Sequence, residues 1–363
     1  MLRREFNRSL LGLPLAAAIP SLAFGAVDVD PRSMPEGGSI TDVPGLKVGN
    51  YTLTERPTGC TVLICESGAT AGVDVRGSAP GTRETDLLSP INAVQQVNAI
   101  MLSGGSAYGL DAAGGVMRYL EENKLGYKIG SLGVVPIVPA AILMDLGVGN
   151  FKIRPTAESG YQACLAASAG PVAEGNVGAG AGATIGKMFG PSFMMKSGLG
   201  TASVKIGDTG IVVGALVAVN AVGDVVRPDT GKIVAGARSE DGKGYRDSMA
   251  AIMGGYNVVA RKGANTTIGV VATNAKFTKT QMTKIAQMAH DGYARAINPV
   301  HTMYDGDTIF SMSTGTSDVT ADESAIGAIA ATVMARAIVR AAMQATSIPS
   351  LGLPAYRDYA RRG

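Results

Sequence analysis

The sequence predicts an α/β protein. Short β-type runs bounded by glycines, at residues 61–65, 71–75 and 99–102, alternate with stretches whose apolar residues recur at helical spacing. Two boxes, Thr278 with Gln281 and Thr320 with Glu323, mark helix starts in the last third of the chain, where a hydroxyl and a side chain three residues on can satisfy the free amides of a first turn. Composition adds a dense interior built from small residues, with 49 glycines among 363 residues, 5% aromatics and no tryptophan.

In order along the chain, Arg3-Arg4-Glu5-Phe6 precedes an apolar stretch from Leu10 to Phe24, and Ala23-Phe24-Gly25 offers small residues for cleavage near Gly25 or Ala26. This reads as a twin-arginine signal peptide over residues 1–26, with the mature chain expected in the periplasm; a cytoplasmic protein with an amphipathic start is the alternative. The stretch is interrupted by Pro14 and Pro20 and falls short of the about 20 apolar residues of a membrane span. Residues 27–45, rich in Pro, Gly and Asp, read as a linker.

The runs 61–65 and 71–75 read as two paired strands, followed by an irregular polar loop, Gly77 to Asp86, of the kind that lines sites or merely connects. Residues 99–102 form a buried strand that Ser103-Gly104-Gly105-Ser106 turns into a helix with Leu110, Ala113, Met117 and Leu120 on one face, a geometry that makes an anion cradle at the helix start. Tyr108 stands where a serine elbow needs glycine. Residues 134–146 are apolar but carry Pro136 and Pro139, so they are either packed core or a pocket wall rather than a central strand throughout. A short Ala-rich helix is expected over 157–169.

The glycine-rich run 175–187 lacks phosphate-loop spacing, since Ala181 and Met188 stand where glycine and a hydroxyl are required. Lys187 at its end is either a site cation or a solvated lysine. Two antiparallel strands follow, the second ending at Asn220. The polar, glycine-rich residues 236–264 then form the best internal break. Near the C-terminus, Asp305-Gly306-Asp307 puts two carboxylates around a glycine ahead of an alternating strand, and an Asx-type turn is the plain reading. The tail after Ser347 is expected to be irregular.

Several function classes are excluded. A net charge of +3 with no basic stripe gives no nucleic-acid footprint. Cys60, Cys65 and Cys164 have no metal spacing and read as small buried hydrophobes, and two histidines, His290 and His301, cannot build a multi-histidine centre. No metal or cofactor is called for. One stretch stands out for chemistry, Gly263-Ala264-Asn265-Thr266-Thr267-Ile268, where a polar turn hands two threonines to an apolar run. Cleavage between Asn265 and Thr266 would free an amine and a hydroxyl on one residue, a nucleophile with its own base. The same tripeptide is also a glycosylation sequon and an ordinary strand opening.

Taken together, Val73-Asp74-Val75-Arg76-Gly77, Pro80-Gly81-Thr82-Arg83-Glu84-Thr85-Asp86, Leu102-Ser103-Gly104-Gly105-Ser106-Ala107-Tyr108-Gly109-Leu110-Asp111, Asn265-Thr266-Thr267 and Asp305-Gly306-Asp307-Thr308 resemble the L-aminopeptidase/D-esterase and β-peptidyl aminopeptidase family, which includes 6-aminohexanoate-oligomer endohydrolase. The resemblance covers roughly residues 40–340. It implies a four-layer αββα sandwich, self-cleavage into an α chain (27–265) and a β chain (266–363), and a homotetramer of processed units. It further implies Thr266 as nucleophile, Lys187 as site lysine, Asn220 as oxyanion donor, and Asp305 and Asp307 orienting the amine and hydroxyl. It departs at Met144, where the endohydrolase branch has tyrosine and the aminopeptidase branch places a glutamate in the same wall; an apolar pocket there suits aliphatic or polyamide-like chains. The implied activity is amide hydrolysis on peptides or ω-amino acid oligomers, with an aminopeptidase or an unprocessed, non-catalytic binding protein as alternatives.

Overall fold

In the computed structural model residues 37–260, 263 and 265–359 are described, so the expected signal peptide lies outside the described residues. The principal elements, in chain order, are strands β1 (Lys47–Thr52), β2 (Gly59–Val75) and β3 (Val97–Ser103), helix α1 (Ala112–Glu122), strand β4 (Ala140–Ile142), helix α2 (Ala157–Leu165), strands β5 (Leu199–Lys205), β6 (Val212–Asn220) and β7 (Thr266–Thr273), helix α3 (Lys279–Ala296), strand β8 (Thr308–Ser313) and helix α4 (Glu323–Gln344).

Strand β2 ties the architecture together. Its C-terminal half pairs antiparallel with β8, which continues through β7 and β6 to β5; its N-terminal half lies between β1 and β3, and β4 follows β3. The expected pair of short strands is therefore one 17-residue strand. Gly68, at φ +84°, accounts for the difference: the register shifts between Ile64 and Ala69, so the chain turns within the strand and each half finds different partners.

Alternation along the strands generates four layers, αββα, with three cores between them. Leu63, Ile100 and Leu102 face Leu216, Ile268, Val270 and Phe310 in the middle. One residue away in each strand, Val217, Val271 and Ile309 face Tyr293 of α3 and Met334 of α4, while Val62, Ile64 and Met101 face Val116 and Leu120 of α1. The three cysteines are free, buried thiols in these cores, as their sequence context predicts. Helix α4 is long and apolar enough to span a membrane by length and composition alone, and 61% of its apolar window is buried inside the fold.

Several local expectations need correction. The Thr278/Gln281 box does open α3, but α4 is capped by Asp322, whose carboxylate takes the Ala325 amide, rather than by Thr320. A 3-10 turn, Ser106–Asp111, precedes α1. The tail carries a short helix, Tyr356–Tyr359. The segment after 236 is tethered: Asp224 accepts from the amides of Ala237 and Ser248 at 2.8 and 2.9 Å, Tyr256 packs on Phe189 with ring centroids 4.8 Å apart, and the Val259 amide donates to Met188.

Candidate active site

Register brings the site together. Asn220 ends β6 and Thr266 begins β7, and the antiparallel pairing sets them directly opposite one another. On the other side of β7 the parallel partner β8 is preceded by Asp305-Gly306-Asp307, and Asn265 bridges to Asp305. Lys187 arrives on the glycine-rich loop, whose end is fixed by bonds from the Gly186 and Lys187 amides to Gly223 and Val222. Residues up to 120 positions apart in sequence thus converge on one peptide bond, that between Asn265 and Thr266.

That bond is buried, with Asn265 and Thr266 exposed by 0% and 2%. The Thr266 hydroxyl donates to the Asn265 carbonyl at 2.5 Å and the Gly306 amide donates to the same oxygen at 2.9 Å. Asp307 accepts the Thr267 amide on Oδ1 at 2.8 Å, while its Oδ2 takes the His301 amide at 3.1 Å and His301 Nδ1 at 2.8 Å. Asp305 accepts from the Val222 amide at 3.2 Å and from the Thr302 hydroxyl at 2.5 Å. Lys187 Nζ donates to Asn220 Oδ1 at 2.7 Å and to its backbone carbonyl at 3.2 Å. The Asn220 amide nitrogen donates to the Met144 carbonyl at 3.1 Å, so Met144 meets the site through its backbone, and its side chain is half-buried. One of the two Asn220 N–H groups is thereby committed, which restricts the oxyanion role expected of it to the other.

Burial sets the electrostatics. Desolvation lowers the Lys187 ammonium to about 7 against the opposing pull of Asp305 and Asp145, so near neutral pH the lysine is poised between ammonium and amine. Desolvation, with the neighbouring Asp307 carboxylate second, raises Asp305 to about 6, while the Thr302 hydroxyl and the Val222 amide pull the other way. A lysine at about 7 beside a carboxylate at about 6 gives groups suited to moving protons in the neutral range.

Of two further supports, the first was invisible in sequence and the second lies in a loop that the sequence marked only as of the kind that lines sites. Arg56 and Asp145 form an ion pair at 2.6 Å with both side chains fully buried, and Asp145 also takes the Thr58 hydroxyl at 2.6 Å and the Gly105 amide at 2.8 Å. The anion cradle expected at Gly104-Gly105-Ser106 is thus filled by the chain's own carboxylate, next to Met144. The 76–79 loop clamps the acidic pair, with the Arg76 and Gly77 amides on the Asp307 carbonyl and the Ala79 amide on that of Asp305, each at 3.0 Å. His301 carried no sequence signal beyond being one of two histidines. Among the described residues no cluster of three or more His, Cys, Asp or Glu is arranged to hold a metal ion.

Residues 38–352 match the family model described as peptidase family S58. The chain belongs to that family. It is 42% identical over 350 residues to an uncharacterized aminopeptidase of Mycobacterium tuberculosis (strain ATCC 25618 / H37Rv), covering 88% of this chain and 97% of the relative. To the 6-aminohexanoate-oligomer endohydrolase of Kocuria sp. (strain KY2) it is 31% identical over 351 residues, covering 92% and 93%. Among solved structures it resembles a Burkholderia sp. beta-aminopeptidase (TM-score 0.67, 23% identity, covering 89% and 93%) and the L-aminopeptidase D-Ala-esterase/amidase of Ochrobactrum anthropi, described as a variant of the Ntn hydrolase fold (TM-score 0.65, 20% identity, covering 89% and 92%). The S58 chain is therefore a hydrolase of amide bonds on an Ntn-type αββα sandwich.

Proposed function

We propose that this S58 hydrolase matures by cutting itself between Asn265 and Thr266, and that the freed Thr266 then hydrolyses amides through an acyl-enzyme. The observation that carries the reading is the double hold on the Asn265 carbonyl, by the Thr266 hydroxyl and the Gly306 amide, inside a ring of Lys187, Asn220, Asp305 and Asp307. In the first step Thr266 Oγ1 attacks the Asn265 carbonyl carbon and passes its proton to a neighbouring base, for which Lys187 as free amine is suited. Collapse of the tetrahedral centre expels the Thr266 nitrogen, which takes up a proton, and leaves an ester; water then releases the Asn265 carboxylate and regenerates the hydroxyl. In turnover the free Thr266 amine accepts the hydroxyl proton, the substrate amine departs protonated, and water hydrolyses the second ester.

The substrates that fit this reading are peptides or ω-amino acid oligomers, since relatives carry the names aminopeptidase and 6-aminohexanoate-oligomer endohydrolase. Met144 offers no carboxylate to a free substrate amine, which favours attack within linear amides over removal of N-terminal residues. Denaturing electrophoresis with terminal sequencing tests maturation: two chains are expected, the smaller beginning at Thr266, and a Thr266→Ala chain stays whole. An intact wild-type chain that hydrolyses amides would remove Thr266 from the role. Cleavage of free-amine peptides with N-blocked oligomers untouched would instead establish the aminopeptidase alternative. The twin-arginine pattern supports export, to be checked by cell fractionation, and a tetramer of processed units is to be checked by light scattering.

A further inference from the structure

We infer that His301 is a positioning residue for Thr266, acting through Asp307; this rests on the maturation reading above. Once the chain is cut, Thr266 is a terminus, and chain ends lose order unless tied down. Its remaining covalent tether is the peptide to Thr267, whose N–H is held by Asp307 Oδ1 at 2.8 Å. The attitude of the nucleophile therefore depends on where that carboxylate points.

His301 fixes it with two donors on the other oxygen, its backbone amide at 3.1 Å and Nδ1 at 2.8 Å. Nδ1 is the donor in its bond, because the carboxylate oxygen it meets can only accept. Delivering both donors to one oxygen requires a backbone turn: His301 sits at φ +55°, a region that side-chain-bearing residues seldom adopt. The ring is held in that pose by stacking on Tyr293, with centroids 5.9 Å apart and planes 23° apart, and by the edge-on ring of His290 at 4.8 Å. His290 is itself pinned by Nε2 on the Asp74 carbonyl at 3.0 Å. A run of contacts thus leads from the core of α3 through His301 and Asp307 to the first peptide of the new chain.

Two substitutions separate the donor from the turn. Asparagine tolerates positive φ and offers an amide N–H near the position of Nδ1; glycine relaxes the turn but removes the side-chain donor. His301→Asn is expected to mature and turn over within about fivefold of wild type, whereas His301→Gly loses about 100-fold in kcat with KM little changed, the scale of a misplaced reacting group. A spectroscopic readout follows, because Thr266-Thr267 is the sole Thr-Thr step in the chain. Pairing 13C-carbonyl with 15N threonine isolates the Thr267 amide proton, which should lie downfield in wild type and His301→Asn and move upfield in His301→Gly. Wild-type kcat in His301→Gly, or an asparagine variant as slow as the glycine one, overturns the inference; if the glycine variant does not fold, His301→Asn decides alone, and an about 100-fold loss with an upfield Thr267 amide in it overturns the inference. Failure of the maturation reading would look different: wild type itself would remain one chain.

Discussion

The amide of Gly306 donates to the carbonyl oxygen of Asn265 at 2.9 Å, across the parallel bridge between Asn265 and Asp305. A donor already aimed at the oxygen that becomes negative in the tetrahedral centre strengthens as that charge develops, so it stabilises the transition state more than the ground state. Gly306 has no room for a side chain, since a Cβ there would lie 2.2 Å from the Ala79 carbonyl oxygen and 2.9 Å from Thr266 Oγ1. Gly306→Ala must spread these segments apart and stretch the bond. We expect the folded precursor to mature about 100- to 1000-fold more slowly, the range for losing one such donor. Time courses on denaturing gels, with circular dichroism for folding, measure it, and an undiminished rate would remove Gly306 from the reaction.

Maturation should follow the protonation of Lys187. Burial holds it at about 7, so the free amine appears as pH rises through neutrality. Precursor refolded at pH 5.5 is expected to persist, and its rate should climb about tenfold per pH unit before levelling above about 7. Asn220→Asp puts a carboxylate within 2.7 Å of the lysine nitrogen, at the position of Oδ1. An adjacent negative charge favours the ammonium, so the midpoint should move up by about one unit or more. A flat profile, or an unmoved midpoint in the variant, would assign the base elsewhere.

The fold was legible where a single pattern governs a single element. The Thr278/Gln281 box, the apolar run ending at Asn220 and the apolar run opened by Thr266 place α3, β6 and β7 close to their observed bounds. Strand β2 reads as two strands because glycines bound the runs 61–65 and 71–75, whereas in the fold the chain continues through Gly68 with β1 and β3 paired mainly to the residues before it and β8 to those after. The site residues Lys187, Asn220, Asp305 and Asp307 came from resemblance, not from periodicity. Asp145 lies 89 positions from Arg56, and such a pairing leaves no local trace. His301 is similarly silent, since its role arises from a positive φ that histidine does not announce.

The Arg56 and Asp145 pair should dominate the stability of the Met144 wall. Arg56 also donates to the carbonyls of Val148 and Ile153, both at 2.7 Å, so it holds the loop after Asp145 as well as its charge. Arg56→Ala leaves a carboxylate buried without its cation, and such breaks cost about 3–5 kcal/mol. We expect a fall of that order in denaturant unfolding, together with impaired maturation, since Met144 orients Asn220. A change under about 1 kcal/mol would mean that water replaces the guanidinium.

Lys196 gives a test of the buried lysines that is independent of catalysis. Its side chain is fully buried and its ammonium donates to the carbonyls of Gly180 at 3.0 Å and Ala183 at 3.1 Å, and to that of Ser197. Burial lowers it from 10.5 to about 7, in the same sense as Lys187. Below about 7 both folded and unfolded chains carry the proton and the folded state bears the full cost of desolvation. Between about 7 and 10.5 the unfolded chain binds the extra proton, so stability rises with pH, by up to about 1.4 kcal/mol per unit for each such lysine. Wild type should therefore resist urea better at pH 9 than at pH 7. Lys196→Met should lose the share of that rise contributed by Lys196, whatever its absolute stability. An unchanged pH slope in the variant would show that Lys196 keeps an ordinary pKa within its cage of carbonyls.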